Sequence, residues 1–155
     1  MWIRIKFVAK RKGDMSSYRT LFWVLKQGGF VEFFRALSIL YKLKVVGNFW
    51  AENSISFRYM GRKIHMNFFG GFSMLREIFV DQIYSVELTD PSIIVDIGAN
   101  VGFFSIWASL KYPNSKVLAY EPVSKVFRLL ERNIRSNGLN NVIPINKAVS
   151  DRRDM

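Results

Sequence analysis

The chain of 155 residues has no cysteine and a single histidine, His65. Without a thiol there is no disulfide scaffold, no thiolate metal site and no cysteine nucleophile. One imidazole excludes a metal centre built from several histidines. A cysteine-free chain suits a reducing compartment, and the cytoplasm is the expected setting. Long apolar runs are missing as well. The most apolar N-terminal region, Leu21 to Tyr41, is broken by Lys26, Gly28-Gly29, Glu32 and Arg35, and it falls short of the roughly 20 unbroken residues of a membrane span. At the start, Met1 to Lys12, charge lies inside and after a short apolar patch, which is the wrong order for a signal peptide. Acidic residues are scarce too, 12 against 23 Lys and Arg, for a net charge of +11. The imbalance sits at the front: residues 1–60 carry eleven Lys and Arg against Asp14, Glu32 and Glu52, a net of +8. Such a front end could meet phosphate, nucleic acid, anionic lipid or an acidic partner, or could simply be a basic surface.

Half of the residues are hydrophobic and 14 are phenylalanine, which is the composition of a packed domain. Three parts can be separated. Residues 1–50 read as a basic, helical leader, in which Phe30, Phe33, Phe34, Leu37, Leu40 and Tyr41 recur at three- and four-residue steps and mark the face expected to pack on the domain. Contact of this amphipathic element with a membrane surface stays open as a second reading. Residues 51–90 begin with two alternating runs, Ile55-Phe57-Tyr59 and Lys63 to Phe68, joined at Met60-Gly61-Arg62. The pattern predicts a β-hairpin. His65 lies within it with no second ligand available, and a structural or surface role is expected of it rather than a catalytic one. Met74 to Tyr84 follows as a short helix directing Leu75, Ile78, Phe79 and Ile83 to a core.

From residue 91 to 155 the texture becomes strand, helix, strand, helix, strand. Ile93-Ile94-Val95 is a short continuous apolar run of the kind a strand covered on both faces shows. A helix over Phe103 to Leu110 stops before Pro113. Val117 to Tyr120 makes a second strand, Ser124 opens a second helix that ends at Asn137-Gly138, and Val142 to Ile145 makes the third strand. The expected fold class is α/β: the first three strands of a doubly wound parallel sheet, preceded by basic helices and a small hairpin.

The chemistry is concentrated in Val95-Asp96-Ile97-Gly98-Ala99-Asn100-Val101-Gly102, with Glu121 following 19 positions after Gly102. Gly98 permits a sharp bend and close approach of a ligand to the backbone. Gly102 lets the next helix start close to the sheet, and the amides at that helix start can meet an anionic group such as an amino-acid carboxylate. An acid at the tip of the second strand, Glu121, can accept both hydroxyls of a ribose. A dinucleotide is the rival ligand, but its G-x-G-x-x-G pattern fails here. Asn100 stands where the second glycine belongs, Phe103 takes the third slot, and Asp96 would repel a diphosphate. The ligand indicated is a nucleoside with a zwitterionic amino-acid end and no phosphate.

Asp96 through Ser105, Tyr120-Glu121-Pro122, Asn133 through Leu139 and Asn146 through Asp151 together resemble the FkbM-like family of class I methyltransferases, over roughly residues 74–151. The resemblance implies S-adenosyl-L-methionine as cofactor, with Asp96 and Gly98 beside its methionine part and Asn100 and Gly102 as further cofactor-binding residues. It implies that Glu121 holds the ribose hydroxyls and that Pro122 and Val123 flank the adenine. The loop Asn146 to Asp151 is either an adenine contact or plain surface, and Asn133 and Asn137 are expected to be packing residues. Glu77, Phe79 and Tyr84 resemble the family's lead-in helix. Members are typically O-methyltransferases of sugars and small-molecule hydroxyls, so a small-molecule or glycan hydroxyl is the implied acceptor. In the family's strand order the first strand is central and the chain ends before its fourth. It is therefore expected to be truncated ahead of the acceptor half, with an open edge that a second chain or an oligomer could cover. No residue qualifies as the catalytic base. The alternative function is an inactive fragment or one half of a split methyltransferase, with an N-terminal region that binds anionic surfaces. Nucleic acid is not expected as a partner, because no interleaved aromatic and basic pattern is present.

Overall fold

The computed structural model describes residues 16–46, 51–85 and 88–151. The reading of the charged start therefore lies largely outside the described residues. Helix α1 (Ser16–Val46) is followed by strands β1 (Glu52–Tyr59) and β2 (Arg62–Phe69). A short α2 (Ser73–Leu75) runs directly into a π-helical turn over Arg76–Val80. Then come β3 (Ile93–Ile97), α3 (Phe103–Lys111), β4 (Lys116–Tyr120), α4 (Ser124–Ser136) and β5 (Val142–Ile145). This is an α/β fold with a small antiparallel hairpin ahead of a three-stranded parallel sheet in the order β3-β4-β5, an incomplete Rossmann-like fold.

The hairpin closes through Met60 and Gly61, both at positive φ (47° and 77°). Two such residues give a loop twist that matches that of the flanking strands. Ile55 and Phe57 turn inward as the alternation predicts, and Ser56 is buried as well. His65 Nδ1 lies 3.0 Å from the Ser56 Oγ directly across the ladder.

Helix α1 packs with a different face from the one its aromatics mark. Phe30, Phe34 and Tyr41 are exposed, while Thr20, Val24, Glu32, Ala36 and Ile39 are buried. The reason is the closeness of approach. A Cβ on Gly28 would come within 2.7 Å of the Ser56 carbonyl oxygen, so this i, i+4 row has to be small where the helix crosses β1. The buried Glu32 is satisfied there by the Ser56 amide (3.0 Å) and by Arg35 (2.8 Å). At Gly29 the backbone leaves helical geometry (φ 80°, ψ −175°), and the helix bends.

Phe57, Phe79, Phe103 and Phe68 form a continuous aromatic core that ties the hairpin to α3, with ring centroids 4.9 to 6.4 Å apart. Buried Trp107 donates to the Tyr59 hydroxyl at 3.0 Å. Leu75, Ile78 and Phe79 join this core as expected, but Ile83 is exposed, because the π turn ends at Val80 and changes the register beyond it. Strand β3 also departs from expectation. Ile94 and Asp96 share a face with Val117, Ala119 and Val142, whereas Ile93, Ile97 and Ile143 on the other face are exposed. Right-handed crossovers that step in one direction from β3 to β5 place α3 and α4 on the same side, so among the described residues only one face is covered.

Candidate functional site

The site is built where β3 and β4 end side by side. They pair in parallel, Asp96 opposite Ala119 and Ile97 opposite Tyr120. Beyond Ile97 the chain bends sharply, and the amides of Gly98 and Ala99 both donate to the Tyr120 carbonyl (3.0 and 2.8 Å). Gly98, Asn100 and Gly102 all have positive φ (78°, 52° and 95°). Glycine adopts this region freely and asparagine tolerates it. A Cβ on Gly98 would meet nothing within 4 Å, so the space above the bend is open. Gly102 has another role. A Cβ there would sit 2.6 Å from Leu130 Cδ1, so this glycine admits helix α4 as well as starting α3.

Glu121 reaches the bend. Its Oε2 accepts the Asn100 amide at 3.0 Å and its Oε1 accepts the Val123 amide at 2.9 Å. A carboxylate has about four acceptor positions, so two bonds to the backbone leave two for a diol. Asn100 turns its own side chain onto the Val101 amide at 2.7 Å. Pro122 and Val123 are exposed at the strand tip, where a flat base could lie. The chain thus brings Asp96, Gly98, Asn100, Gly102, Glu121, Pro122 and Val123 to one end of the sheet.

Asp96 is buried and accepts a 2.5 Å hydrogen bond from the Ser105 hydroxyl. Burial pushes its carboxyl up to about 6; the Ser105 bond opposes this, and the neighbouring Glu121 charge adds to it. Tyr84, whose ring meets Phe104 at 5.2 Å, is pushed up to about 12 by burial and then by the Glu77 and Asp96 carboxylates. Near neutral pH it keeps its proton. The residues fit S-adenosyl-L-methionine: open backbone at Gly98, unused acceptor capacity on Glu121, and two acids that favour a cation and oppose phosphate.

Sequence reasoning missed the roles of three residues. Ser105 steadies Asp96, and its only signal is a fully buried hydroxyl in the apolar run of α3. The Asn146 amide donates to the carbonyls of Glu121 (2.7 Å) and Pro122 (3.2 Å) and so holds the acid-bearing loop, while residues 147–151 beyond it are exposed. Asn133 donates to the Val101 carbonyl at 2.8 Å.

No family model matches the chain. It is 40% identical over 68 residues to "Methyltransferase 1" of Beauveria bassiana, 43% of this chain and 27% of that protein. It is also 40% identical over 63 residues to the "31-O-demethyl-FK506 methyltransferase FkbM" of Streptomyces tacrolimicus, 39% of this chain and 24% of the relative. The chain thus spans about a quarter of the length of the curated relatives it matches. Among solved structures, PH0793 of Pyrococcus horikoshii aligns at a TM-score of 0.47 and 17% identity, over 74% of this chain and 48% of that one. P. horikoshii TYW2 in complex with MeSAdo aligns at 0.43 and 16%, with the same coverage. The complex of aTrm5 with tRNALeu aligns at 0.42 and 26%, over 61% of this chain and 28% of that one.

That complex corrects one expectation. The expectation that nucleic acid is no partner is withdrawn: aTrm5, with which part of this chain aligns, is seen in complex with tRNALeu. An interleaved aromatic and basic pattern tests for single-strand stacking platforms, and folded RNA is recognised largely through shape and phosphate. No helix among the described residues is long and apolar enough to cross a membrane. The chain carries part of a methyltransferase-like fold, similar in sequence to the curated methyltransferases above, FkbM among them.

Proposed function

We propose that the chain carries the cofactor half of an O-methyltransferase acting on a hydroxyl of a sugar or other small molecule, in the cytoplasm. In this reading Glu121 accepts the ribose hydroxyls, Pro122 and Val123 flank the adenine, and Asp96, Gly98, Asn100 and Gly102 surround the methionine part. The observation that carries it is the Glu121 carboxylate lying 3.0 Å from the Asn100 amide, the acid of one strand tip gripping the bend of its neighbour. Support for oxygen as the acceptor comes from the FkbM relative, whose name specifies a 31-O-demethyl substrate.

When bound, S-adenosyl-L-methionine supplies an electrophilic methyl group on a sulfonium. The residues of this chain bind and orient. Glu121 and the bend fix the nucleoside, and the charge of Asp96 favours the cationic end. The hydrogen bonds to Asn100 and Val123 hold the carboxylate in place before a ligand arrives, which lowers the ordering cost of binding. No residue here is assigned as the base for the acceptor hydroxyl. That role goes to the three quarters of the relatives' length that the match does not cover. The alternative of an inactive fragment or half of a split enzyme is separated by adding that remainder as a second chain.

The test is isothermal titration of the chain with S-adenosyl-L-methionine, with S-adenosylhomocysteine and NAD, and of its Glu121→Ala variant. Binding of both sulfur nucleosides, absence of NAD binding and at least a tenfold loss in the variant are expected. Binding of NAD, or indifference to Glu121, would refute the reading.

A further inference from the structure

Asn133 and Asn137 are spaced four residues apart on α4, and both side chains dock onto the outer edge of β2. The Asn133 amide accepts from the Asn67 amide nitrogen (2.8 Å) and donates to the Asn67 carbonyl (2.8 Å). Asn137 repeats the pattern on His65, accepting at 2.8 Å and donating at 2.7 Å. Each carboxamide therefore pairs with one residue of β2 as a neighbouring strand would. The match is metric. Four helical residues rise about 6 Å, and two strand residues advance about 6.6 Å. An Asn-x-x-x-Asn row on a helix can thus satisfy alternate residues of an edge strand, which would otherwise present unpaired groups.

The two asparagines differ in where their remaining bonds go. Asn137 turns its second donor back to the Asn133 carbonyl (2.7 Å). Asn133 turns its second donor to the Val101 carbonyl, inside the Gly98–Gly102 bend (2.8 Å). Its Oδ1 also accepts from the Asn67 side chain (3.1 Å). Asn133 is fully buried and uses both donors and both acceptors. Among side chains of this size only a carboxamide offers that set.

We propose that Asn133 is a positioning residue for the cofactor loop, through which docking of the hairpin sets cofactor affinity. One side chain bonds the edge of β2 and the carbonyl of the bend together, so the bend keeps its conformation only while the hairpin is seated. Asn137 holds the same strand without touching the bend and serves as the internal control. The affinity part rests on the S-adenosylmethionine reading; the loop-positioning part does not.

The experiment compares Asn133→Ala and Asn137→Ala in the whole chain. The first readout is hydrogen exchange of the amides from Ala99 to Gly102, taken well below the melting temperature. The second is titration with S-adenosyl-L-methionine. Both variants should lose stability. Only Asn133→Ala should speed exchange in the bend, by at least tenfold, and weaken the cofactor by a similar factor. Equal exchange in the bend for the two variants overturns the proposal. If the parent chain fails to bind the cofactor, the functional reading falls and the exchange comparison still decides the positioning role. Should Asn133→Ala not fold, Asn133→Asp replaces it, since the carboxylate still accepts from Asn67 but can donate neither to Val101 nor to the Asn67 carbonyl. If neither folds while Asn137→Ala does, Asn133 is a structural residue only and the proposal is overturned.

Discussion

Replacing Asp96 with asparagine should make the chain more stable at neutral pH while impairing its cofactor site. The carboxyl of Asp96 moves from an ordinary 3.8 to about 6 on folding, chiefly because burial penalises the charged form. A raised carboxyl favours the folded state fully below pH 3.8, and that contribution is lost as the pH climbs through about 6. A shift of about two units corresponds to roughly 3 kcal/mol at about 1.4 kcal/mol per unit. Asparagine cannot ionise, and its carbonyl can still accept the Ser105 hydroxyl. Its NH2 group requires a new partner, which subtracts about 1–3 kcal/mol at every pH. The pH dependence is therefore the sharper quantity. The stability of Asp96→Asn minus that of the parent should rise by roughly 3 kcal/mol between pH 3.5 and pH 7. Urea melts of both proteins across that range measure it, since the carboxylates not coupled to Asp96 cancel in the difference. Parallel stability curves would show that burial of Asp96 is not what the fold works against, and would refute the reasoning.

Gly102→Ala should cost about 3 kcal/mol, from left-handed backbone strain together with the clash on Leu130. Gly98→Ala meets no atom and should cost only about 1–2 kcal/mol; equal losses in chemical denaturation would contradict this ordering. Glu121→Gln places an NH2 group against the amide of Asn100 or of Val123, and should cost about 1–3 kcal/mol in the same assay. Tyr59→Phe leaves the buried Trp107 N–H without its acceptor, a loss of about 1–3 kcal/mol that a melt of the variant would register. Cofactor affinity should weaken about tenfold per pH unit below 6 as Asp96 takes up its proton; titrations with a flat profile from pH 5 to 7 would count against a role for its charge.

Much of the site was legible because it is local. The bend from Asp96 to Gly102 needs glycine at 98 and 102, and Asn100 carries a side chain that can bond the next amide. Those requirements can be read from neighbouring residues alone. So can the turn at Met60-Gly61 and the alternation of strand and helix from Ile93 to Ile145. Partners brought in from elsewhere were not legible. Ser105 on Asp96, Asn146 on the Glu121 loop and Asn133 on Val101 are polar contacts between separate elements, and a buried polar residue looks like any other until its partner arrives. The leader helix misled for a related reason, since its aromatics mark its apolar face while close approach to β1 selected the face bearing Thr20, Val24, Gly28 and Ala36.

By itself the sequence determined the elements and the bend, because backbone conformation and strand periodicity depend on residues a few positions apart. Tertiary structure decided which face of α1 is buried, that among the described residues one side of the parallel sheet lies open, and that an asparagine on α4 joins the hairpin to the Gly98–Gly102 bend. Those outcomes depend on distances between elements far apart in the chain, set by packing after the local shapes have formed.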